Sequence, residues 1–162
     1  MRAEPRALWP LLEALDDPAH IETPAGFDRA AARRAFVELT ERLSGGFEAE
    51  CAADLHVQDA SFHAQVVVPA EATATGQRFV VRVSNFGMLA VMALENPGVH
   101  GDEEFRARAD PHDVERIAAC LDAGGYVLVP EEPLWTPYRG AIPRHVFGRG
   151  EPTWWDRYFD YL

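Results

Sequence analysis

The chain has 162 residues, 48% of them hydrophobic and 25% charged. Those proportions exclude fibrous, collagen-like and wholly disordered chains and predict one soluble domain over 1–162, large enough to fold without a disulfide or metal staple. Twenty-six Asp and Glu against fifteen cations give a formal charge of -11, which opposes nucleic acid and anionic membranes and favours a basic partner.

Every cation is Arg, and with abundant Ala this composition is expected of a GC-rich bacterial genome. Residues 1–6 carry charge with no apolar run of signal-peptide length behind them, so a cytoplasmic location is expected. Leu8, Trp9, Leu11, Leu12 and Leu15 recur at helical spacing and predict a short opening helix ending near Asp17-Pro18, with Pro10 tolerable only in a first turn. From Asp28 to Ser44 the stripe Ala32, Ala35, Phe36, Leu39 and Leu43 predicts a stronger helix. Glu38 and Arg42 pair along it, and Gly45-Gly46 supply the stop.

The period then drops to two. Cys51, Ala53, Leu55 and Val57 alternate with Glu50, Ala52, Asp54 and His56, and after a turn at 58–61 Phe62, Ala64, Val66 and Val68 alternate with Ser61, His63 and Gln65. Apolar parity flips across that turn, as in a hairpin whose strands share one buried face. Phe79, Val81 and Val83 mark a third strand. Met88 to Leu94 is a fourth, apolar throughout and too short to cross a bilayer. Asp110 as N-cap and Pro111 as the first helical residue open a helix through Val114, Ile117 and Leu121. Tyr126 to Val129 reads as one more strand. Four prolines and three glycines make 130–150 irregular, and Thr153 caps an aromatic helix over 153–161. The expected fold is α+β: an antiparallel four- to five-stranded meander with helices packed mainly on one face. Cys51 and Cys120 lack CxxC spacing and are expected as free, buried thiols.

Two regions bear on function. Pairing Val57 with Phe62 sets His56 opposite His63 and Asp54 opposite Gln65 on the exposed sheet face. Asp54, His56 and His63 would suit a metal ion or acid–base work, with Arg82 as anion holder, in a small metal-assisted hydrolase or ligand-binding enzyme. An open sheet face is polar for water alone, however, and no HExxH, CxxC, GxSxG, Walker or Rossmann pattern accompanies it. The second region is the aromatic stretch from Trp135 onward. Aromatic and Arg side chains in an irregular segment suit a protein interface, and Glu131, Glu132, Trp135, Tyr138 and Arg139 are the expected contacts. The aromatic helix after them either docks on the sheet or serves a homodimer. The favoured expectation is a non-enzymatic protein-binding protein without cofactor, of the immunity type that covers a basic toxin with an acidic surface.

Overall fold

The computed structural model describes residues 5–54, 64–148 and 150–160. Five strands form one sheet in sequence order: β1 (Ala52–Asp54), β2 (Gln65–Val68), β3 (Phe79–Val83), β4 (Leu89–Leu94) and β5 (Val127–Leu128). The first four pair antiparallel, as parity predicts, but β5 joins β4 in parallel. The sheet is therefore mixed. The connection from β4 to β5 is a helical crossover, since parallel neighbours cannot be joined by a tight turn.

Helices α1 (Pro5–Leu15) and α2 (Arg29–Phe47) precede the sheet, α3 (Asp102–Arg108) and α4 (Pro111–Ala123) fill the crossover, and α5 (Trp154–Phe159) follows it. Asp28 caps α2 by accepting from Ala31 N at 2.9 Å. The helix does not stop at Gly45-Gly46. It runs through both to Phe47, because Phe47 is buried in the core and Glu48 takes the left-handed conformation (φ 51°), donating its N–H to the Gly45 and Ser44 carbonyls. Asp110 caps α4 through the N–H groups of His112 and Asp113, with Pro111 in the first turn as expected. The Asp113 carboxylate is buried and accepts from Ala74 N at 2.8 Å, tying the β2–β3 loop to the helix.

The expectation of helices mainly on one face is corrected. On the first face Phe36, Leu39 and Leu43 of α2 and Ile117 and Leu121 of α4 pack with Val66, Val68, Phe79, Val81, Ala90 and Leu94. On the second, Leu8 and Leu12 of α1 and Trp154, Trp155, Tyr158 and Phe159 of α5 pack with Leu89, Val91 and Val129. Strand β4 alternates between the two cores and is buried at all of its positions. Its unbroken apolar run reflects cover on both sides.

Candidate functional site

The second face is closed by residues far apart in the chain. Arg157 and Asp16 are both buried and meet at 2.8 Å, Nε to Oδ1. The guanidinium also donates to the Ile21 and His20 carbonyls and lies over the Phe86 ring, 4.2 Å from its centroid. Asp16 Oδ2 accepts from the Tyr138 hydroxyl at 2.5 Å and from Ala141 N at 2.7 Å. A side chain at Gly140 would overlap both Asp16 and Tyr138, so only glycine allows this approach. Every bond ends on a carbonyl or carboxylate inside the protein. The cluster is a clasp between the segment after α1 and α5, which is what a buried pair with satisfied lone pairs sustains.

A different arrangement stands between α3, α4 and the end of β5. A cleft of about 360 Å³ is lined by Met92, Phe105, Val114 and Leu128 below, with His100, Asp102, Arg106 and Glu131 among the residues around it. That size is within the range of small-ligand pockets. Glu131 holds the loop after β4 in place: its Oε1 accepts from Gly98 N at 2.5 Å and from the Trp135 indole N–H at 2.9 Å. Oε2 accepts from none of the described residues. Burial pushes the Glu131 carboxyl above its ordinary range, against the pull of those two hydrogen bonds. Glu132 accepts from Asp102 N at 2.7 Å and so caps α3 from 30 residues away, where Gly101 has no side chain to do so. His100 Nδ1 lies 2.8 Å from Glu104, and Arg108 Nη1 is 3.0 Å from its Nε2.

Two large apolar side chains stand exposed next to the cleft. Val99 is 55% exposed and Trp135 40%. Gly98, one residue before Val99, lies so close to the Trp135 ring that an added Cβ would meet it at 3.1 Å. Trp135 stacks on Trp155 with centroids 4.6 Å apart. Glu103 and Glu104 of α3 and Glu132 are exposed in the same two chain segments, which Glu132 joins by accepting from Asp102 N.

The expected contact residues are thus placed unequally. Glu131 and Glu132 bond inward to the backbone, Tyr138 belongs to the clasp and packs on Phe147 and Trp154, and Trp135 and Arg139 are exposed. The aromatic side chains of α5 are buried, leaving that helix little apolar surface for a second copy. On the hairpin, Asp54 lies opposite Gln65 and Gln65 opposite Arg82, one row across three strands. His56 and His63 lie outside the described residues. The Arg82 guanidinium sits 5.7 Å from the Trp155 ring centroid. Among the described residues no three His, Cys, Asp or Glu side chains come together as a metal site requires. Cys51 and Cys120 are free, and burial pushes both thiols up.

Sequence reasoning missed α3. The run Asp102-Glu103-Glu104 followed by Arg106 and Arg108 is the charge order a helix dipole favours, and that was the available signal. No family model matches this chain, nor does a curated protein or a solved structure.

Proposed function

We propose that this protein binds a basic protein partner, in its most concrete form as an immunity-type neutraliser that lays an acidic surface over a toxin's basic one. The observation that supports it is the exposure of Val99 and Trp135, on segments that meet where Gly98 lies against the Trp135 ring, together with exposed Glu103, Glu104 and Glu132 in those same segments. Apolar anchors supply the area that gains from desolvation, and surrounding acids steer a cationic surface and fix its orientation. The formal charge of -11 extends that attraction beyond the patch.

The test is capture from lysate of the source organism by wild type and by a Val99→Arg, Glu103→Arg double variant, at low and moderate salt. Both positions are exposed, so the variant keeps the fold. The expected result is one basic protein retained stoichiometrically by wild type, released as salt rises, and held about tenfold more weakly by the variant. Equal retention by the variant, or a retained protein indifferent to salt, overturns the reading.

A further inference from the structure

The cleft has features the exposed patch does not explain. Its lining is apolar at Met92, Phe105, Val114 and Leu128, while Glu131 is a half-buried carboxylate that also lines it, with Oε1 taken by Gly98 N and the Trp135 indole and Oε2 accepting no bond from the described residues. A carboxylate partly withdrawn from water, with one oxygen still open, gains from a cation brought to it. Two basic side chains line the cleft as well, but His100 is turned to Glu104 at 2.8 Å, and Arg106 is 73% exposed and pairs with Asp102 at 3.5 Å. An exposed pair of that kind contributes little and gives way readily to a better-placed cation. An anion would face Glu131 and Asp102 across the same space, and a wholly apolar guest would leave Glu131 unmatched.

We infer that the cleft takes an alkyl-stemmed organic cation, the side chain of an Arg or Lys presented by the basic partner, with its stem on the Met92–Phe105–Val114–Leu128 floor and its head on Glu131 Oε2. The source of the cation rests on the protein-binding reading; the site does not. An arginine fits best, because a guanidinium is less strongly hydrated than an ammonium and keeps several donors in a plane for a carboxylate. The patch then provides area and steering, and the cleft provides a pocket for one inserted residue.

The probe is n-butylguanidinium, titrated into the protein alone, with n-butylamine, n-butanol and butyrate alongside. The readout is the indole N–H resonance of Trp135, assigned by its loss in Trp135→Phe, because that proton is shared with Glu131 Oε1. Glu131→Gln keeps an oxygen for Gly98 N and Trp135 and replaces only Oε2, so it preserves the clamp while removing the acceptor. A saturable shift is expected with butylguanidinium, a weaker one with butylamine, none with butyrate, and affinity about tenfold lower in Glu131→Gln. Val114→Phe, which fills the floor, should abolish the shift. No saturable shift, or equal shifts with butanol, with butyrate or in Glu131→Gln, overturns the inference. That result leaves the capture experiment standing, and failed capture with a positive titration removes only the partner as the cation's source.

Discussion

The two faces of the sheet are closed by opposite means. On the first, α2 and α4 lay aliphatic and Phe side chains over β2, β3 and β4, and the buried cluster is apolar throughout. On the second, α1 and α5 bring aromatic rings held by an internal ion pair, with the Asp16–Arg157 contact joining residues 141 apart in sequence. Continuous helices with an apolar stripe are placed mainly by burial, the Asp113 carboxylate adding one bond from α4 to the β2–β3 loop. On the second face α5 spans only Trp154–Phe159, and the bonds of Arg157 to Asp16 and to the Ile21 and His20 carbonyls fix so short a helix in register. A sheet buried on one side by packing and on the other by a clasp should lose the two faces differently.

The sharpest way to break that comparison is Arg157→Ala. It leaves the Asp16 carboxylate buried without its cation and should cost about 3–5 kcal/mol. All four tryptophans, Trp9, Trp135, Trp154 and Trp155, belong to the second face or touch it. Their fluorescence in Arg157→Ala should therefore change at lower urea than the far-ultraviolet circular dichroism. Leu39→Ala in the first core should cost about 3 kcal/mol by leaving a cavity, with both probes changing together. Coincident transitions in Arg157→Ala would mean that the faces unfold as one unit.

A smaller effect sharpens the second face alone. Thr153 and Asp156 form a reciprocal capping box at the start of α5, the Thr hydroxyl accepting from Asp156 N and the Asp carboxylate accepting from Thr153 N. Thr153→Ala should cost about 1 kcal/mol, again seen first in tryptophan fluorescence.

The smallest effect concerns pH. Glu131, with Asp102, His100 and Arg106 around it, is raised above its ordinary value of 4.5 mainly by burial. In the window just above 4.5 the folded state therefore holds more proton than the unfolded state. Stability from this group is gained as pH falls into that window and lost as pH rises through the folded value. Asp17 and Glu104 are lowered by their hydrogen bonds and act in the opposite direction, but they are common to wild type and Glu131→Gln. The difference in urea midpoint between the two proteins should move toward wild type from pH 7 to pH 5, an order-of-magnitude window set by carboxyl titration. A pH-independent difference would show that Glu131 is solvated.

Much of the first face was legible in the sequence because alternation and capping are local. The parity flip that sets Asp54 opposite Gln65 recovers the observed register of β1 and β2, and Asp110-Pro111 marks the start of α4. The second face was legible in one place that the one-sided reading overrode: a strand apolar at every position, as β4 is, signals cover on both sides. The parallel pairing of β5 left no local mark, since a strand of two residues carries no direction in its pattern. At the site, Glu131, Glu132 and Trp135 stood out by type. Their partners did not, because a carboxylate bonded to the backbone N–H of Gly98 or Asp102 asks nothing of those residues' side chains.

The clasp also sets an order of events in synthesis. Residues 29–123 contain the whole of the first face apart from the β5 edge, so that half can collapse while the ribosome is still adding residues. The second face waits for Arg157. Until it emerges, Leu89 and Val91 of β4 lack their aromatic cover, and the nascent chain presents an open apolar sheet surface to its surroundings. Contacts of such long sequence separation close slowly, so the last step of folding is also the step that takes this apolar surface out of reach.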